Sequence, residues 1–159
     1  NQQPTTNNQQ PTTNNQQPTT QNRQPTTDNR QPTTANRNIM KSYKDLDIYN
    51  LAFQYSIEVH YASLKMPKFE LYEQGSQLRR SSKSIKDTII EGYGRRKYKQ
   101  DFIKFLTYSH ASLLECKGQL ETIQELYDIP EVPELITKYD GLGAKIFTFI
   151  QYVEKNWQV

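Results

Sequence analysis

The sequence predicts an all-α fold: an up-down-up-down antiparallel four-helix bundle preceded by a disordered repeat tail. Three observations carry that expectation. Phe102, Leu106, Ser109, Leu113, Cys116, Leu120, Ile123 and Tyr127 recur at alternating steps of four and three, and only Ser109 interrupts the apolar set. A strand places alternate residues on one face, so this pattern belongs to an amphipathic helix of about seven turns with one buried seam. Other segments repeat the spacing, and none alternates in the manner of a strand. A helix this long cannot bury its stripe alone, and short links make sequential helices neighbours.

The chain divides in two. Residues 1–38 contain no Leu, Ile, Val, Phe, Tyr or Trp. They cannot bury enough surface to offset the entropy of ordering, so a disordered low-complexity tail is expected there. Pro4, Pro11, Pro18, Pro25 and Pro32 recur every seventh residue in units of the form NNQQPTT. No position of that unit is apolar, which rules out a coiled coil and leaves an extended, solvated chain. A tandem repeat in coding DNA would translate into such an array, and Met40 stands just before the first foldable segment. Met40 is therefore read as the natural start, with a genuine Asn/Gln/Thr linker as the alternative. Residues 39–159 make one domain of ordinary size.

The first helix is expected from Tyr43 or Lys44 to Leu64, with Leu46, Tyr49, Phe53, Ser56 or Ile57, His60 and Leu64 on its buried face. Pro67 stops it. The second starts near Glu70 and buries Leu71, Leu78, Ile85 and Ile89, with Gly75 and Ser82 allowing close approach. Its end at Glu91-Gly92-Tyr93-Gly94 invites a left-handed glycine cap. The third is the organising seam, from about Tyr98 to Tyr127. Asp128–Pro133 is a proline-stiffened connection, with Pro133 suited to a first turn. The fourth buries Leu135, Tyr139, Leu142, Ile146, Phe149 and Val153, and Gly141 and Gly143 imply a close contact or slight bend.

Charge is distributed unevenly. The formal +3 includes Arg23, Arg30 and Arg37 against Asp28 in the tail, leaving the domain at +1. Between residues 79 and 104 stand Arg79, Arg80, Lys83, Lys86, Arg95, Arg96, Lys97, Lys99 and Lys104 against Asp87, Glu91 and Asp101. That band is +6, so the rest of the domain is −5. Arg79, Lys83 and Lys86 fall on one helical stripe, and the Arg95–Lys99 cluster follows in the turn. Cations grouped this way neutralise phosphates with counterion release, and Tyr93 and Tyr98 offer rings for unpaired bases. The bland reading is a solvated face, and a third is a surface for an acidic protein partner.

Catalytic chemistry finds no constellation. Gly92-Tyr93-Gly94-Arg95-Arg96 follows a helix rather than a strand and lacks the spacing of a phosphate-cradling loop. His60 and His110 are the only histidines, and His60 is expected in the core. The single cysteine, Cys116, sits in mid-seam as a small buried thiol, so neither an internal disulfide nor a nucleophile is expected. No Glu-x-x-His pair exists for a metal bundle. No enzyme activity, metal, cofactor or membrane association is expected. The absence of a basic start with an apolar core makes a cytoplasmic protein the default. Eleven tyrosines exceed what one bundle core can bury, and Ile103, Tyr108, Ile150 and Trp157 widen the apolar stripes. Both features favour a homo-oligomer.

The run from Pro67 to Leu120 also carries a resemblance. Glu70-Leu71-Tyr72, Gln77-Leu78-Arg79-Arg80, Ser84-Ile85, Glu91-Gly92-Tyr93-Gly94-Arg95, Phe102, Phe105-Leu106 and Ala111-Ser112-Leu113 stand at one family's spacings. From Met40 to about the C-terminus, the chain resembles the bacterial four-helix-bundle proteins named after intervening sequences in 23S rRNA genes. Their relatives include accessory variability proteins of diversity-generating retroelements. Thr88-Ile89-Ile90 departs from the family's Asn-Ile-Ala. The resemblance implies a four-helix bundle forming a homo-oligomer, typically a pentameric ring, without established enzymatic activity. For the retroelement relatives it implies binding to a reverse transcriptase and to nucleic acid. The expected function is a non-enzymatic adaptor binding RNA or DNA, the alternative being an accessory that docks a nucleic-acid enzyme such as a reverse transcriptase.

Overall fold

The computed structural model describes residues 41–158. The repeat tail over 1–38 and the reading of Met40 lie outside them. The described residues are helical and contain no strand. A one-turn 3₁₀ helix, Tyr43–Asp45, leads into α1 (Asp47–Ser63), followed by the short α2 (Lys68–Tyr72), α3 (Gln74–Gly94), α4 (Lys99–Leu126) and α5 (Val132–Asn156). The four long helices touch in a closed cycle, α1 on α3, α3 on α4, α4 on α5 and α5 on α1. No described helix is long and apolar enough to cross a membrane.

The α4 seam forms as its spacing requires. Phe102, Leu106, Ser109, Leu113, Cys116, Leu120 and Ile123 are all buried, and the partly buried Tyr127 closes the row. Ser109, the one polar member, donates to the Ile85 carbonyl of α3 at 2.9 Å. A buried hydroxyl thereby gains a partner instead of a desolvation cost. Ser81 donates to Gln119 Oε1 at 2.8 Å, and Ser84 and Ser112 meet at 3.0 Å, so small side chains let α3 and α4 pack closely. On α5, Leu135, Tyr139, Leu142, Ile146 and Val153 are buried and Phe149 partly so. Pro133 lies in the first turn. A Cβ on Gly143 would stand 3.2 Å from Leu113 Cδ2, the close contact expected there, whereas Gly141 faces open space.

The first helix meets expectation in part: Leu46 and Ser56 are buried and Tyr49 partly so, but the rest of the face differs. Its buried face is Ile48, Ala52, Ser56, Val59, Ala62 and Ser63, while Phe53, Ile57 and Leu64 are exposed. Small side chains, Ala52, Ser56, Ala62 and Ser63, make up most of the face where α1 crosses its neighbours, with Ile48 and Val59 beside them. Phe53, Ile57 and Leu64 are rotated outward. His60 is half-buried beside Tyr61 rather than in the core.

The expected second helix is broken at Glu73, whose φ of −97° and ψ of −94° separate α2 from α3. Arg79 repairs the break. Its guanidinium donates to the Leu71 carbonyl at 2.9 Å and to Ser63 Oγ at 3.0 Å. Gly75 makes room for it, because a Cβ there would lie 3.1 Å from Arg79 Nη1.

The left-handed glycine cap does not form either, since no described residue has a positive φ. α3 runs through Gly92, where a Cβ would come within 2.8 Å of Phe105 Cβ and 3.2 Å of Phe102 Cδ2. That glycine serves the crossing of α3 and α4, not a turn.

Cys116 is fully buried, and burial pushes its thiol up to about 11. The thiolate is the nucleophile, so the native protein is expected to resist iodoacetamide at pH 8 and to react once denatured. Mass spectrometry of alkylated samples checks this, and fast labelling of the native form would place Cys116 elsewhere.

Candidate nucleic-acid interface

The cations of the basic band meet different fates. Arg79 is spent on the α2–α3 break, so its loss disturbs the fold and not a free surface. Lys86 pairs with the adjacent Asp87, and Arg95 pairs with Glu91 at 3.3 Å. Arg95 also lies over the Phe105 ring, 5.0 Å from its centre. Arg96 lies 4.1 Å over the Tyr93 ring and donates to the Tyr93 carbonyl at 3.0 Å. Lys99 donates to the Glu154 carbonyl at 2.6 Å, and Lys104 faces the Tyr108 ring at 5.9 Å. Arg80, Lys83 and Lys97 are exposed and have no partner among the described residues.

The band is also interrupted. On the outer face of α3, exposed Asp87 and Glu91 stand between Arg80 and Lys83 on one side and Arg95–Lys97 on the other. Helical rise sets these two groups roughly 20 Å apart. Tyr93, one of the rings considered for stacking, is buried against Tyr43 and Arg96. Tyr98 is exposed.

Packing adds cations that the sequence separates. The Tyr43 ring lies 6.4 Å from Tyr93, Trp157 Nε1 donates to the Arg96 carbonyl at 3.2 Å, and Lys99 reaches Glu154. These contacts bring the start of α1, the end of α3, the start of α4 and the end of α5 to one end of the molecule. Lys41, Lys44 and Lys155 therefore join Arg95, Arg96, Lys97 and Lys99 there, against Asp45, Asp47, Glu91, Asp101 and Glu154. At the other end, Tyr127 donates to Glu70 Oε1 at 2.9 Å and Lys65 pairs with Glu131. That end gathers Glu70, Glu73, Glu121, Glu125, Asp128, Glu131 and Glu134 against Lys65, Lys68, Arg79 and Arg80. One end is net positive and the other net negative, a separation that orients a polyanion on approach. Nothing in the local sequence marks Lys41 or Lys44, because topology alone places them here.

Further ion pairs hold the helices without serving the interface. Lys138 bridges Glu58 of α1 and Glu134, each at 2.8 Å, and this pairing holds its ammonium well above the usual lysine range. Lys117 reaches Asp140 at 2.6 Å. Among the described residues, no three His, Cys, Asp or Glu side chains converge as a metal site would require.

Among curated proteins, none matches the chain. The family profile described as 23S rRNA-intervening sequence protein matches residues 44–148, which span all of α1, α2, α3 and α4 and most of α5. On that match, the chain belongs to the 23S rRNA-intervening sequence protein family.

Proposed function

We propose that this protein is a non-enzymatic, cytoplasmic, oligomeric adaptor that binds RNA or DNA through the basic end and the adjoining face of α3. The observation that carries the reading is the set of unpaired, exposed cations: Lys97 at the basic end, and Arg80 and Lys83 roughly 20 Å along α3 from it. Exposed cations with no internal partner are free to displace counterions from phosphates. The test is the triple variant Arg80→Gln, Lys83→Gln, Lys97→Gln. Its affinity for a mixed-sequence RNA or DNA should fall by about 100- to 500-fold near 0.1 M salt, at five- to eightfold for each phosphate left unneutralised. Lys68→Gln at the acidic end is the control and should bind as the wild type does. Equal losses per charge removed from both would mean unspecific attraction to any cation. No binding by the wild type would promote the alternative, a surface that docks a nucleic-acid enzyme.

The bundle is read as up-down-up-down and antiparallel. Partners that climb one helix as they descend the next support this: Gly92 with Phe105, Ser81 with Gln119, Leu113 with Gly143, and Glu58 with Lys138. Assembly into a homo-oligomer, a pentamer by the family resemblance, is supported by the outer edge of α1. Phe53, Ile57, Tyr61 and Leu64 form an exposed stripe there, and exposed Phe69 and Tyr72 of α2 follow it. Contiguous apolar patches of this kind mark interaction surfaces. Light scattering at micromolar concentration should report an oligomer that Ile57→Glu dissociates without loss of helicity. A wild-type monomer would contradict the assembly.

A further inference from the structure

We propose that the basic end binds an unpaired nucleotide, with the Tyr98 ring stacked on its base and the Lys97 ammonium on its phosphate. This rests on the nucleic-acid reading above and narrows it to single strands. Tyr98 is 65% exposed and makes no ring contact among the described residues. Its backbone is nevertheless fixed. The Tyr98 N–H donates to the Arg95 carbonyl at 2.8 Å, and the Tyr98 carbonyl accepts from Phe102 at 3.0 Å. One turn back, the Arg96 guanidinium is held on the Tyr93 ring and its carbonyl by Trp157. A ring on a pinned backbone loses little freedom on stacking, so more of the stacking free energy appears as affinity. Lys97 stands beside it, exposed and unpaired, and the nearest acid in the first turn of α4, Asp101, is half-buried.

The geometry favours a single strand over a duplex for two reasons. A base offers its face to a side chain only when it is unstacked, which a duplex prevents. A duplex backbone would also need a continuous cationic track, and Asp87 and Glu91 break the one along α3. A single strand can instead bend around one cationic end.

The experiment compares a fluorescein-labelled 12-nucleotide oligo(U) with a 12-base-pair duplex, using the full-length protein with Tyr98→Leu, Tyr98→Trp and Lys97→Gln. Stacking is worth roughly 1–3 kcal/mol per base, so Tyr98→Leu should weaken oligo(U) binding by about tenfold or more. Duplex binding, the melting temperature and the salt slope should stay unchanged. Tyr98→Trp should retain or tighten oligo(U) binding, and Lys97→Gln should lower the salt slope for oligo(U) by about 0.7. If Tyr98→Leu binds oligo(U) as the wild type does, while the triple charge variant loses affinity, the stacking site is refuted and the interface stands. Equal losses by Tyr98→Leu on single strand and duplex also refute it. Absence of wild-type binding to either probe removes interface and stacking site together.

Discussion

Leu113→Asp abolishes the folded state. Leu113 is 1% exposed at the middle of the α4 seam, and its side chain packs on Gly143 of α5. An aspartate there loses the packing of a buried leucine, about 2–5 kcal/mol for truncation alone. It also strands a carboxylate without a partner, which costs several kcal/mol more or forces its protonation. A domain of this size has only about 5–15 kcal/mol of net stability. Far-UV circular dichroism at 25 °C should therefore show an unfolded chain. A variant with native helicity and an unchanged melting temperature would mean that the seam is not core.

Gly92 and Gly94 are two residues apart, and alanine is expected to act in opposite directions at them. A Cβ at Gly92 would overlap Phe105 Cβ at 2.8 Å with Phe102 close behind. Both rings belong to the next helix, so α3 and α4 must separate, at about 1–3 kcal/mol. Gly94 has nothing within 4 Å of its would-be Cβ and no positive φ. Alanine there should stabilise by about 0.4–1 kcal/mol, through a less flexible unfolded chain and better helix propensity. Urea melts of the two single variants should move to opposite sides of the wild type. Shifts of equal sign would show that helix propensity, not the crossing, governs Gly92.

The contrast between α4 and α1 shows what the sequence could reveal. Every seam position of α4 carries a large apolar residue except Ser109 and the small Cys116. The off-seam Ile103, Phe105, Tyr108, Leu114 and Leu126 form no second continuous stripe, so periodicity and burial agree. α1 carries two stripes. Phe53, Ile57 and Leu64 outweigh Ala52, Ser56 and Ala62 by size, so hydrophobicity pointed to the outer face while packing selected the small one. The α2–α3 break left no signal because Glu73 is neither glycine nor proline, and without the break Arg79 looks like another surface cation. The basic cluster at residues 95–99 was readable because its members adjoin. Its enlargement by Lys41 and Lys44 was not, since those lysines lie about fifty residues away and arrive through the Tyr43–Tyr93 contact. Gly92 was recognised as special for the wrong reason: a glycine at a close crossing and a glycine at a turn look alike in one dimension.

The most direct test of phosphate recognition by Arg80, Lys83 and Lys97 is the salt dependence of binding. Plotted as log affinity against log salt concentration, each neutralised phosphate contributes about 0.9 to the slope on duplex DNA and about 0.7 on single strands. The wild type should give a steep line, and the Arg80→Gln, Lys83→Gln, Lys97→Gln variant a line shallower by about 2 to 3. Exposed charges contribute little to folding, so the melting temperatures of the two proteins should agree closely. Parallel lines for wild type and variant would contradict the assignment, because those three side chains would then displace no counterions.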